Sequence, residues 1–111
     1  MADGIRCIRL WTGVDGLSHV EETAIADGTL QAATGLRFAE APAGSAFDWH
    51  TAPQRQYVLT LSGTLEFVTR DGEGFLLRPG DVLLAEDTAG SGHRWRLVDD
   101  APWRRVYVTL G

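Results

Sequence analysis

The chain of 111 residues has no lysine, one cysteine and three histidines. A single thiol, Cys7, excludes an internal disulfide and any paired-cysteine zinc site, and it reads as a buried or half-buried strand residue. No apolar run is long enough to span a bilayer, and the amino terminus has no apolar stretch of the kind a secretory leader carries, so a cytoplasmic protein without a membrane partner is expected. Positive charge is scarce as well. The ten cations are all arginine, against fifteen Asp and Glu, for a formal net charge of −5. That balance argues against nucleic acid, because neutralising phosphates requires a basic face. Also lacking are a Ser-His-Asp order, a glycine-rich nucleotide loop and an amphipathic helical segment. What remains is a small soluble domain whose natural partner is a small molecule.

Thirteen glycines and four prolines cut the sequence into short segments rich in Val, Leu, Thr, Phe and Tyr, the pattern of strands bounded by turns. The predicted strands are Ile5–Trp11, His19–Ala26, Gly28–Phe38, Ala46–His50, Gln56–Thr69, Glu73–Arg78, Asp81–Ala85, His93–Leu97 and Trp103–Leu110. Asp71-Gly72, between Phe67-Val68-Thr69 and Phe75-Leu76-Leu77, predicts a hairpin with a tight primed turn. Pro79-Gly80 predicts a turn in which proline presets φ and glycine supplies a positive φ. Without repeat, linker or low-complexity tract, residues 1–111 read as one all-β domain.

One spacing stands out. Gly44 is followed after five residues by His50, after one more by Ala52, after three by Gln56 and after six by Gly63. Downstream come Arg78-Pro79-Gly80-Asp81-Val82 and then His93. The two stretches resemble the paired motifs of the cupin superfamily, over roughly residues 30 to 110. Ala52 stands where that family usually has histidine, Gln56 where it has glutamate, and Glu86 where it has proline, with a loop two residues longer before His93. The resemblance implies a single cupin-type double-stranded β-helix, a jelly-roll β-barrel, with amino-terminal strands over residues 1–30 and the barrel core over about 30–111. It also implies a homodimer, for which the apolar residues Ile5, Ile8, Leu10 and Trp11 offer a surface.

Strand alternation says which side chains meet. Asp48, His50 and Ala52 share one face, Gln56, Val58, Thr60 and Ser62 a second, and His93, Trp95 and Leu97 a third. If these faces line the barrel, His50, Gln56 and His93 converge. Two neutral imidazoles suit Fe, Mn, Ni, Cu or Zn, whereas a glutamine amide is a weak, uncharged ligand, so a carboxylate from Asp48 or Glu86 would complete the set. Gln56 could instead be satisfied by a hydrogen bond to His50 or to a loop carbonyl. Ala52 leaves room for water or a substrate group.

Ligand contacts are expected from Trp95, which shares the face of His93, and from Thr60, Asp87 and Arg55. Arginine takes carboxylates bidentately, and Arg55 adjoins Gln56. Trp49 should face away from the cavity. The loop Glu86–His93 is the expected functional loop, its glycines allowing motion or close approach to a ligand. His19 has no partner at ligand spacing and reads as a surface histidine. Two functions fit. One is a metal-dependent enzyme of the oxidoreductase, isomerase or lyase type with His50 and His93 at the metal. The other is a metal-free domain that binds or senses a small molecule without catalysis.

Overall fold

The computed structural model describes residues 4–111; residues 1–3, part of the predicted 1–30 segment, lie outside the described residues. Ten strands run β1 (Ile5–Thr12), β2 (Ser18–Ile25), β3 (Gly35–Ala41), β4 (Ala46–His50), β5 (Gln56–Ser62), β6 (Leu65–Thr69), β7 (Gly74–Leu77), β8 (Val82–Glu86), β9 (His93–Leu97) and β10 (Trp103–Thr109). No helix long and apolar enough to cross a membrane occurs among the described residues. The strands form a six-stranded sheet, ordered β2-β1-β8-β5-β10-β3, and a four-stranded sheet, ordered β4-β9-β6-β7. The jelly roll is therefore two facing sheets rather than one continuously hydrogen-bonded ring. The described pairings are antiparallel except β1 with β8, which is parallel.

The core lies between the sheets. Ile8, Leu10, Val58 and Leu83 come from the larger sheet and meet Leu65, Phe67, Leu77 and Leu97 from the smaller, with Trp103 filling the gap. Alternation along β5 and β6 produces this directly, since every second residue turns inward and is removed from water. Ile8 and Leu10 are thus core residues rather than interface residues, and Cys7 is buried beside them. The large apolar side chains exposed on the larger sheet are Ile5 on β1, Leu36 and Phe38 on the β3 edge, and Leu61.

Two predicted strands need redrawing. The run Gln56–Thr69 is broken at Gly63, whose φ of +90° and whose close approach to Pro102 and Trp103 no side chain would tolerate. The break sends β5 and β6 into opposite sheets, which is what allows a single run to supply both walls. The predicted strand Gly28–Phe38 starts only at Gly35. Residues 26–34 form a connection that turns at Gly28 and is tied to β5 by the hydrogen bond from Tyr57 Oη to Gln31 Oε1, 2.6 Å.

The hairpin β6–β7 is present, with a different turn. Gly72 N–H donates to Thr69 C=O at 3.0 Å, and Asp71 keeps a negative φ because its carboxyl caps the turn, accepting from Glu73 N–H at 3.1 Å. Arg78-Pro79-Gly80-Asp81 forms the expected turn, closed by Asp81 N–H to Arg78 C=O at 3.0 Å with Gly80 at φ +91°.

Candidate functional site

Between the sheets lies a cavity of about 220 Å³ whose wall includes His50, Ala52, Gln56, His93 and Trp95. Three strands and the β4–β5 connection, which holds Ala52, deliver these side chains. His50 ends β4, Gln56 opens β5, and His93 and Trp95 alternate inward along β9.

A bulge sets which β4 residues reach the cavity. Phe47 pairs with Trp95, but His50 rather than Trp49 pairs with His93, so β4 carries one extra residue between the two pairs. The insertion shifts the alternation. Phe47 and His50 both line the cavity, while Asp48 lies in a surface groove with Glu66, Arg94 and Arg96. The carboxylate expected from Asp48 by simple parity is therefore not delivered. Trp49 lies outside as expected, stacked beneath Arg70 (3.9 Å) and Arg94 (5.1 Å).

Each cavity histidine is held by one ring nitrogen. His50 Nδ1 donates to the Asp48 carbonyl at 2.7 Å, and His93 Nδ1 donates to Asp87 Oδ2 at 2.6 Å. A carbonyl or carboxylate oxygen can only accept, so both rings present a proton on Nδ1, and a neutral ring so held has its lone pair on Nε2. Among the described residues neither Nε2 has a hydrogen-bond partner. The ring centroids are 4.5 Å apart. Burial pushes the His50 imidazole below its ordinary pKa, against the opposing pull of the Asp48 carbonyl, with His93 adding to the depression. The ring is therefore neutral around pH 7, the form that binds metals.

Asp87 is fully buried and stands behind His93 rather than in the cavity wall. Its Oδ2 also accepts from Ser18 Oγ at 2.7 Å, while Oδ1 is buried without a partner. Its part is to orient His93, not to touch a ligand. Gln56 is 5% exposed and lines the cavity; among the described residues its amide has no hydrogen-bond partner, so neither His50 nor a loop carbonyl satisfies it. Ala52 is buried beside it, anchored by its N–H to the Asp87 carbonyl at 3.0 Å. Thr60 does not reach the cavity wall, because its hydroxyl accepts from Trp103 Nε1 at 3.2 Å.

Glu86 and Arg55 are engaged with each other. Glu86 has the opposite alternation to the cavity residue Ala85 and accepts from Arg9 Nε at 2.6 Å and Arg55 Nε at 2.7 Å. Neither Glu86 as a metal ligand nor Arg55 as a carboxylate clamp fits that arrangement. Burial works against ionisation of Glu86, but the two arginines together outweigh it and hold the carboxyl below the usual range. A depressed folded value gives stability above the unfolded pKa, lost as pH falls through the folded one. Glu86→Gln should thus destabilise the protein by about 1 kcal/mol at pH 7, and urea titrations should show the difference shrinking as pH falls below the ordinary glutamate pKa.

The loop from Glu86 to His93 is stapled down. Ser91 N–H donates to Gly16 C=O at 2.9 Å, Thr12 Oγ1 to Ala89 C=O at 3.0 Å, and Ser18 N–H to Ser91 Oγ at 3.0 Å. Its glycines serve close backbone approach, Gly90 to Gly16 and Gly92 to His50, rather than motion. His19 also has company. Its ligand nitrogen lies within 4.8 Å of carboxylate oxygens of Asp71 and Glu73, donor types a cation takes. Asp15 already holds its Nε2 at 2.9 Å, and the group is largely exposed, so ion pairing accounts for it.

Strand reasoning missed part of the wall. Phe67, Trp103, Arg105, Tyr107 and Arg37 also line the cavity. The signal was present: Trp103, Arg105 and Tyr107 alternate along one predicted strand, and placing Trp103 in the core would have turned the other two inward.

The cupin-domain family profile matches residues 37–109. The chain belongs to the cupin family. Among solved structures the cupin is similar to a DUF861 family protein from Thermotoga maritima, with 26% identity over 66% of this chain and 76% of that one and a TM-score of 0.55. It is similar along its whole length to a cupin domain from Bordetella pertussis Tohama I, with 14% identity, 100% and 98% coverage and a TM-score of 0.55. A third similar structure is described as a sugar phosphate isomerase from a cupin superfamily, from Silicibacter pomeroyi DSS-3, with 21% identity, 72% and 52% coverage and a TM-score of 0.55. The last two likenesses speak to the fold alone. No curated protein matches the sequence.

Proposed function

We propose that this cupin binds a small oxygenated organic molecule between its sheets, at a divalent metal held by the Nε2 atoms of His50 and His93 with the Gln56 amide oxygen beside them. The observation that carries the reading is the pair of tethered imidazoles: each gives its Nδ1 proton to a fixed acceptor and leaves Nε2 for the cavity. That is how metal-binding histidines are oriented, with the far N–H on a carboxylate or backbone carbonyl. The residues fit an ion of the Fe, Mn, Ni, Cu or Zn type. Such an ion would supply Lewis-acid polarisation of a ligand oxygen. The chain's residues do the rest: Asp87 and Asp48 hold the rings, Trp95 and Phe47 exclude water, and Ala52 leaves the space a bulkier ligand group can enter.

A second reading rests on the cavity wall holding no Asp or Glu among the described residues. With two neutral donors and an amide, the same residues can hydrogen-bond an organic ligand without an ion, giving a metal-free binding or sensing domain.

Elemental analysis of untagged, chelator-free protein separates the two. Near-stoichiometric metal is expected in the native protein, with loss in His50→Ala and in His93→Ala while the fold is retained by circular dichroism. Ala52→His, which adds an imidazole to the wall, should tighten the metal by about tenfold or more. A native protein that takes up none of the five ions would leave the metal-free reading.

A further inference from the structure

Arg37 and Arg105 are the arginines among the described residues of the cavity wall, which include no other Arg, Asp or Glu, and both are held there by aromatic rings. Arg105 lies with Cζ 4.1 Å above Trp103, and donates from Nε to Tyr107 Oη at 3.0 Å and from Nη1 to the Trp103 carbonyl at 3.2 Å. Arg37, directly across from Tyr107 in the β3–β10 ladder, places Cζ 4.4 Å from the same tyrosine ring. The two guanidinium groups therefore flank one ring on the inner face of neighbouring strands.

What they lack is a counter-charge. Arg6, Arg9, Arg55, Arg96 and Arg104 are each paired with a carboxylate. In a chain with fifteen acidic residues, neither Arg37 nor Arg105 meets one among the described residues. Arg105 is partly withdrawn from water, where an uncompensated charge is costly. Stacking and two hydrogen bonds fix its orientation and leave the second terminal nitrogen for a ligand. A fixed, planar donor fork in a cavity whose remaining wall, apart from His50, His93 and Gln56, is apolar and aromatic is suited to an anionic ligand and poorly suited to a cationic one.

We propose that Arg37 and Arg105 form a carboxylate subsite, so that the cupin's ligand is a small organic acid whose acid group is taken by these arginines while its other end faces His50 and His93. The assignment rests on the ligand-binding reading of the cavity given above, and it does not require the metal. It also moves the acid-binding role expected of Arg55 to two residues of the cavity wall, Arg105 half-buried and Arg37 exposed.

The test uses native protein, before and after dialysis against a chelator, titrated with propionate, 2-oxobutyrate and benzoate and with the primary amide of each. Binding is followed through the indole N–H resonances of Trp95 and Trp103. At least one acid should bind at least about tenfold more tightly than its amide, and the preference should survive chelation. In Arg37→Gln/Arg105→Gln the preference should fall to near unity with amide affinity unchanged. Arg105→Lys, which keeps charge without the fork, should recover only part of it. The proposal is overturned if no acid binds, if acid and amide bind alike, if the double variant keeps the preference, or if chelation abolishes it. Loss of the preference in a protein that still holds metal defeats the subsite alone. A preference that persists in a protein that takes up no metal defeats only the metal part of the functional reading.

Discussion

Asp87→Ala is expected to lower the free energy of unfolding by about 3 kcal/mol at pH 7, one of the two largest single-residue effects anticipated here. The carboxyl is fully buried and one of its oxygens accepts from both Ser18 and His93. Truncation strands two donors in the interior, each with its full desolvation penalty, and leaves a void between β2 and the start of β9. The loss reaches the site too. Without its acceptor His93 can exchange tautomers, and metal affinity should fall by about 10- to 100-fold. Asp87→Asn separates the effects: its amide oxygen still accepts from Ser18 and His93, so most of the stability should persist while metal affinity drops with the lost charge. Urea unfolding and metal titration measure both quantities. A change in unfolding free energy under about 1 kcal/mol in Asp87→Ala would refute the structural role.

Gly92→Ala should be at least as damaging. Gly92 has φ +73°, and a Cβ there would lie 2.2 Å from the His50 carbonyl oxygen and 2.6 Å from its carbon. Both obstacles are backbone, so relief requires β4 and β9 to separate where His50 pairs with His93. The control is Gly72→Ala, at φ +88° with nothing within 4 Å, which bears conformational strain of about 1–2 kcal/mol alone. Gly92→Ala should cost at least about 3 kcal/mol and, unlike the control, should also displace His50 and weaken metal binding. Equal effects in the two variants would show that the approach of the strands is not needed.

The sequence disclosed the fold and the centre of the site because both depend on local signals. Alternating apolar residues bounded by glycine and proline define the strands, and the Gly44–Gly63 frame carries His50 and Gln56 to the same cavity as His93. What it did not disclose depends on pairing between distant strands. The bulge in β4 exists only against β9, and it turns Asp48 away while bringing Phe47 in. Glu86 and Arg55 looked available because the sequence does not show that Arg9, seventy-seven positions from Glu86, shares the same carboxylate. The sequence offers Arg37 and Arg105 as possible acid binders along with the other arginines but does not set them apart, for the same reason: their value lies in the acids that do not approach them. The break at Gly63 is an intermediate case, since the motif placed a glycine there, but only the contact with Pro102 and Trp103 shows that the chain crosses between sheets at that point.

The order of strands along the chain has a temporal meaning. β10, which carries Trp103, Arg105 and Tyr107, is inserted between β5 and β3, and β1 cannot find its parallel neighbour until β8 exists. During synthesis the amino-terminal hairpin therefore waits, half its pairing surface unfilled, while residues 26–81 are made, and the cavity gains its far wall only when β10 follows. Contacts of such sequence separation are slow to form and leave edges exposed in the meantime. His50 and His93 on one side and Arg37 and Arg105 on the other thus share one pocket only once β10 has paired between β5 and β3.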